Sequence, residues 1–344
     1  MSKMDGSEPA PIKSEPPAPG VRRFSFFSLR DHTFVDYATQ GYLVVVAVLA
    51  LFLFPSHPGR AALLLAAHVV CLLAVQTLIR AHARPPENRA LDFLRHFYPI
   101  LLYAPLYREI GELNQVFIPG YLDGFFIRLE NQLFGCQPSI LFMEKLPYLP
   151  VSELFYMSYF SYYLMIAGVG LVLYTQDKRR FWHYVSLVSF VFYVCYVIYI
   201  FLPVVGPRLF YAPVPGFDQR QFSFYPLAFP AAVQGGPFFQ VMKLIYDYVE
   251  TSGAAFPSSH VAIAICTLCF SWRFIPKIRW IHLVVVVLLW ASTVFYRYHY
   301  VVDVFAGALT GAILIPLGKW LYRKARVGHS PARNRRARFF GNSS

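Results

Sequence analysis

Charged side chains are scarce in this 344-residue chain, at 14% of residues, where a soluble domain carries about a quarter. Acids are scarcer still, with 18 Asp and Glu against 31 Lys and Arg. Water is therefore not the solvent for most of the surface, which excludes a soluble enzyme, a disordered protein and a fibrous repeat. Cysteine is sparse too. Four of the five (Cys71, Cys195, Cys266, Cys269) fall in apolar runs, so they form neither a disulfide framework nor a metal-ligand spacing, and only Cys136 is expected to meet solvent. No apolar stretch lies close enough to the start to serve as a signal peptide. What the chain does have is 57% apolar residues, 33 Phe and 24 Tyr, with a mean hydropathy of +0.45. That composition is a polytopic membrane protein with aromatic interfacial belts. The net charge of +13 does not point to nucleic acid, because the basic residues flank apolar runs and fill the C-terminal tail, where they fit the membrane surface.

The first thirty or so residues are rich in Pro, Ser and charge and read as a disordered tail. Apolar runs long enough, or nearly so, to cross a core of about 30 Å follow at roughly 35–55, 61–80, 91–107, 153–174, 182–202, 259–274, 280–296 and 301–322. The expected fold is all-α, a bundle of about eight transmembrane helices. Basic residues mark every second connection: Arg22, Arg23 and Arg30, then Arg80, Arg84, Arg89 and Arg95, then Lys178, Arg179 and Arg180, then Arg273, Lys277 and Arg279, then the C-terminal tail. Those connections, and both termini, are expected in the cytoplasm. Two long loops, about 108–152 and 203–258, fall on the other side. The first contains GYLDGFFIRLENQLFG, either an amphipathic helix lying on the outer leaflet or a loop helix packed over the bundle. The tail segment ARNRRARFF is expected to hold anionic lipid at the inner leaflet.

Ionisable groups at membrane depth are expensive and mark function by default. After His260 the chain has one carboxylate, Asp303, and His299 lies four residues before it, on the same face of a helix. A carboxylate at one imidazole nitrogen fixes the tautomer and raises the basicity of the other, making a general base or a nucleophile. A structural His–Asp pair closing a helix end is the plain alternative. Two features on the same expected side favour chemistry. Phe256-Pro257-Ser258-Ser259-His260 opens a span, where first-turn amides are free for phosphate oxygens. Arg208, after Gly206-Pro207, and Arg297 bring permanent charges suited to phosphate.

These residues resemble the type 2 phosphatidic acid phosphatase superfamily, whose six-helix bundle carries the motifs Lys-x6-Arg-Pro, Pro-Ser-Gly-His and Ser-Arg-x5-His-x3-Asp. The resemblance covers roughly residues 115–322. It implies His299 as the nucleophile, Asp303 as its orienting partner, His260 as the acid for the leaving group, Ser258 and Ser259 as holders of phosphate oxygens, and Arg208 in the cationic role of the first motif. The chain is expected to divide into a tail at 1–33, two extra helices at 34–90, a catalytic core at 91–322 and a basic cytoplasmic tail at 323–344. The chain departs from the phosphatases at Phe201, which stands where the first motif has Lys, at Pro207, which precedes its Arg, at Ser259 in place of Gly, and at Thr293 in place of the Arg after Ser292. Arg297 is the substitute source of that last charge. The inositol phosphorylceramide synthase branch is the more similar, since it also accepts FPS-x-H, HY-x-x-D and a Pro-rich first motif.

A site with two Arg and no Lys has fewer cations than the phosphatase pattern, which suits a singly charged phosphodiester over a monoester. The expected activity is therefore transfer of a phospho-head group between lipids through a phospho-histidine, with lipid phosphate hydrolysis as the alternative. A proton-relay transporter or a non-catalytic scaffold is the reading of another class. The partners expected are membrane lipids, not nucleic acid. No cofactor is expected and no metal site is visible, because the two His and the Asp have other roles. His68, His96, His183 and His282 read as structural, and the stretch MSYFSYYLMIAG reads as packing and interfacial belt, with one Tyr a candidate for the lipid cleft.

Overall fold

In the computed structural model, residues 31–83, 88–214, 217–221, 225–249 and 251–328 are described. The N-terminal tail to residue 30 and the basic tail beyond 328 lie outside them. The chain forms thirteen α-helices among the described residues and no strand: α1 Phe34–Ala50, α2 Pro58–His82, α3 Arg89–Arg108, α4 Ile110–Leu113, α5 Asp123–Phe134, α6 Pro138–Lys145, α7 Leu149–Gln176, α8 Lys178–Phe201, α9 Ala231–Gln234, α10 Pro237–Val249, α11 Ser259–Phe274, α12 Arg279–Phe295 and α13 Val301–Gly328. Each apolar run expected to span is a helix. The last continues beyond 322, through Arg323, Lys324 and Arg326, to Gly328.

Among the described residues, five helices are long and apolar enough to cross a membrane: Phe34–Leu53, Pro58–His82, Leu149–Gln176, Lys178–Phe201 and Val301–Ala325. The α3 helix, interrupted by Pro99 and Pro105, is not among them, and α11 and α12 are shorter apolar helices. At 16 and 17 residues they measure about 24–26 Å, less than a hydrocarbon core of about 30 Å. They are joined by the short connection 275–278, and at their other ends His260 lies in the first turn of α11 and the 296–300 turn follows α12.

The α8 helix is the centre of the bundle. Its apolar and tyrosine side chains are buried nearly all round, and α1, α3, α7, α11 and α13 pack on it. Such a helix has no face left for solvent. The first helix is fastened to its neighbours: Asp36 of α1 accepts from Arg95 (2.5 Å) and Tyr98 (2.6 Å) of α3, and Thr39 bonds Tyr193 of α8 (3.0 Å). The lipid-facing sides remain apolar: Cys269 on α11 is exposed there, because a bundle in lipid turns apolar positions outward as well as inward, while Cys136, in the connection after α5, is half-buried.

Both long loops fold back onto the bundle. In the first, α5 packs against α13 with Asp123, Phe126, Ile127 and Glu130 buried, while Phe125 and Leu133 are exposed on its other side. The helix is thus packed over the bundle, one of the two alternatives read from its pattern, with Phe125 and Leu133 outward beside Arg128, Asn131 and Gln132. In the second loop, α10 packs on α7. Glu153 of α7 accepts from the Phe238 and Phe239 amides (2.8 and 3.2 Å) at its start, where a carboxylate meets free N–H groups and the positive end of the helix dipole.

Candidate active site

Three segments converge at one end of the bundle. The chain from Val204 to Arg208 pairs with 254–255, the Ala255 amide donating to the Val204 carbonyl (2.8 Å). Gly206 has φ +90°, and a Cβ there would run into the Tyr298 carbonyl, so only glycine lets this segment lie against the 296–300 turn. The α13 helix approaches the start of α11 just as closely. A Cβ at Gly307 would strike the Ser258 carbonyl, and the Ser258 amide donates to the Asp303 carbonyl (3.1 Å). Arg208, His260, His299 and Asp303 are brought together by these contacts.

The two histidines face one another. His260 Nδ1 lies 3.2 Å from His299 Nε2, His299 Nδ1 is 3.4 Å from Asp303 Oδ2, and that oxygen also accepts from the Tyr300 amide (2.9 Å). On the far side, Tyr159 OH is 2.9 Å from His260 Nε2 and 2.6 Å from Tyr246 OH. One assignment of protons fits the first three members of the row: Tyr159 donates to His260 Nε2 and His260 Nδ1–H donates to His299 Nε2, which leaves His299 Nδ1–H near the carboxylate but outside hydrogen-bond geometry. The lone pair of His299 Nε2 is then the one turned towards His260 and the cavity.

That cavity has a volume of about 310 Å³ and is lined by Arg208, Ser259, His260 and His299 at its polar end. Its remaining wall is apolar and aromatic, from α3 (Ile100, Tyr103, Tyr107), α7 (Tyr162, Tyr163, Ile166), α8 and α10. Tyr246 and Tyr298 stack face to face beside it, 4.2 Å between centroids. A polar end continuous with a slot between helices is the shape that a lipid head group and chain require. The Tyr-rich stretch of α7 thus does more than pack: Tyr162 and Tyr163 line the slot and Tyr159 holds His260.

Not every residue expected at the site lines the cavity. Ser258 is the N-cap of α11, with its hydroxyl on the Val261 amide (3.4 Å). Its neighbour Ser259 does line the cavity, and the Ser259 amide is bonded to the Tyr199 hydroxyl (3.0 Å). Arg297 has a left-handed backbone, φ +62°, which turns its side chain away. The guanidinium donates to the Leu227 carbonyl (2.9 Å) and lies over the Phe229 ring, and burial lowers it to about 10. Arg208 donates to Ser252 (2.9 Å) and is the permanent cation at the cavity, since Lys243 is exposed and lies outside its lining.

Reading the residues as motifs missed two acids of α5. Asp123 and Glu130 are buried beneath the site, and burial pushes each carboxyl up to about 7. It also missed a group of metal-ligand type, His82, Asp92 and His96, whose ligand atoms lie within 4.8 Å of one another. This group is on α2 and α3, away from the cavity. Its carboxylate is engaged by Lys178 and Tyr174, each at 2.6 Å, which makes it an ion network joining α3 to the start of α8. The other histidines read as structural have protein partners too: His68 lies 3.4 Å from Glu109, and His282 is 2.6 Å from Ser271.

Long apolar helices enclosing a buried polar centre and an apolar slot define an integral membrane protein. The chain belongs to the PAP2 superfamily, whose family model matches residues 125–317, more than half its length and every residue from Arg208 to Asp303. Membership points to a phosphatase- or phosphotransferase-type activity. No curated protein and no solved structure matches the chain.

Proposed function

We propose that this protein is a membrane lipid phosphotransfer enzyme that moves a phospho-head group between lipids, in the manner of an inositolphosphotransferase. The observation that carries the reading is the row Tyr159–His260–His299–Asp303, which lies beside Arg208 at the end of an apolar slot. His299 Nε2 attacks the phosphorus, the bond to the leaving oxygen breaks, and His260 Nδ1–H protonates that oxygen. The group left on His299 is a phospho-imidazolium whose Nδ1–H faces Asp303. A lipid hydroxyl then attacks the phosphorus, gives its proton to His260, and releases His299. Catalysis rests on positioning and on charge stabilisation.

In-line attack needs room that the resting pair does not leave. A nucleophile about 3–3.5 Å from phosphorus and an acid about 2.7 Å beyond the leaving oxygen stand well apart, whereas the two nitrogens are 3.2 Å from each other. His260 therefore swings off His299 as substrate enters. A diester carries one negative charge, and among the described residues Arg208 is the one permanent cation lining the cavity, so head-group transfer is favoured over monoester hydrolysis. The alternation of basic connections supports eight spans, both termini in the cytoplasm and the site on the extracytoplasmic face.

The test uses purified protein and His299→Ala in mixed micelles, with phosphatidic acid and a head-group-labelled phosphatidylinositol, each with and without ceramide or diacylglycerol. Label appearing on the acceptor, dependent on His299, is the expected result. Inorganic phosphate from phosphatidic acid alone would make the protein a hydrolase. Equal activity in His299→Ala would end the phospho-histidine reading. Protease applied to sealed cells should spare tags on both termini, and cleavage from outside would overturn the orientation.

A further inference from the structure

The α5 helix presses two buried carboxylates onto the segments that hold the reacting groups. Asp123 accepts from the Val205 amide (2.8 Å), the Gly206 amide (2.9 Å) and the Tyr300 hydroxyl (3.0 Å). About two turns on, Glu130 Oε1 accepts from the amides of Val301 (2.5 Å) and Val302 (3.4 Å), the first N–H groups of α13. Asp123 thus ties the segment leading to Arg208 to the residue beside His299, and Glu130 caps the helix that carries Asp303. Phe126 lies between them, stacked on Tyr300 with the rings 16° from parallel.

Neither acid lines the cavity, so neither meets substrate. Among the described residues neither pairs with a lysine or arginine. Apolar residues of similar size would fill this space at less cost than unpaired acids. What an apolar residue cannot do is accept hydrogen bonds from amides of two separate loops. We infer that Asp123 and Glu130 are positioning residues, locking the Val204–Arg208 segment and the His299–Asp303 turn in register so that Arg208 and His299 address the same phosphate. The inference rests on the phosphotransfer reading of the site.

The two acids are not equivalent. Glu130 holds only the His299–Asp303 side, so Glu130→Ala should lower kcat roughly ten- to hundredfold, the scale of a small misplacement, and leave KM within about threefold. Asp123 holds both sides, so Asp123→Asn should lower kcat and raise KM together, because its amide nitrogen faces a backbone N–H that it cannot accept. Glu130→Gln keeps an oxygen for Val301 and puts its NH2 where Oε2 has no partner, so it should recover kcat to within about threefold of the parent. Tyr300→Phe removes one of the three bonds to Asp123 and should cost several-fold in kcat. It carries the Asp123 test if Asp123→Asn does not fold.

Rates on the full-length protein in micelles at about pH 8, where both acids are ionised, with the labelled phosphatidylinositol and phosphatidic acid as probes and melting curves alongside, decide the matter. Parental kcat in both Asp123→Asn and Glu130→Ala would overturn the inference. So would a joint loss of kcat and thermal stability in which Glu130→Gln does no better than Glu130→Ala, since the acids would then only hold the fold. An active His299→Ala would instead defeat the underlying function. An inactive His299→Ala with normal α5 variants would defeat this inference alone.

Discussion

Asparagine at position 303 separates charge from shape. Asp303 Oδ2 accepts from the Tyr300 amide and lies 3.4 Å from His299 Nδ1, while Oδ1 is buried with no partner. In Asp303→Asn the amide oxygen can take both roles of Oδ2, and the NH2 group can occupy the place of Oδ1. The turn keeps its form and the negative charge is gone. Attack by Nε2 leaves a positive charge on the ring, and two unit charges at that separation are worth about 5 kcal/mol at an effective dielectric of about 20. At about 1.4 kcal/mol per decade this is a loss of roughly 10³–10⁴ in kcat, with little change in KM. Initial rates in micelles measure it, melting curves verify the fold, and a rapid quench reports whether phosphorylated enzyme accumulates. A loss smaller than about tenfold in a well-folded variant would mean that Asp303 only caps the start of α13, and the electrostatic account of the nucleophile would fall with it.

Arg208→Lys keeps the charge but loses the planar fork, so kcat/KM should fall roughly ten- to hundredfold, the worth of a charged hydrogen bond; unchanged kinetics would remove Arg208 from the site. Tyr159→Phe frees the His260 tautomer and should lower kcat by about two- to tenfold for a lipid alkoxide leaving group but not for a nitrophenyl ester, which needs no acid; an equal loss with both would assign Tyr159 to packing. The raised carboxyls Asp123 and Glu130 retain their protons to about 7 in the folded protein but to only about 4 when unfolded. Their contribution to stability is therefore complete below about pH 4 and is lost as pH rises through about 7. Melting temperature should show that loss, and Asp123→Asn with Glu130→Gln should flatten it; a slope untouched by the pair would place the proton uptake elsewhere.

The helices were legible because each apolar run is long and punctuated by Pro, Asn or charge at its ends, as at Asn88, whose side chain caps α3. His260, His299 and Asp303 were legible because local spacing brings the last two together and a Pro-Ser-Ser turn announces the first. The α5 acids were not. Their partners are backbone amides 82, 83 and 171 residues away, and an amide leaves no trace in residue identity. Arg297 was misleading for a related reason. Its side-chain direction is decided by a positive φ, which a non-glycine residue does not advertise, so proximity to His299 in sequence became separation in space. Ser258 and Ser259 show the same limit at one peptide's distance: one hydroxyl caps the helix and the other residue lines the cavity.

The shortness of α11 and α12 has a consequence for what can be a substrate. Both are shorter than a full crossing, and under the proposed function the shortfall falls at the end that carries the histidines, which would set the reacting nitrogens below the level at which head groups are hydrated. Under the proposed function, a free sugar phosphate or nucleotide would have to shed its water to descend there, with no anchored chain to offset that cost. A lipid descends by moving its chains sideways into the slot between α3 and α7, and its phosphate follows on a tether of fixed length. Depth then acts as a ruler, admitting phosphates by how far they sit from an anchored tail and keeping the reactive histidine out of reach of the soluble esters outside.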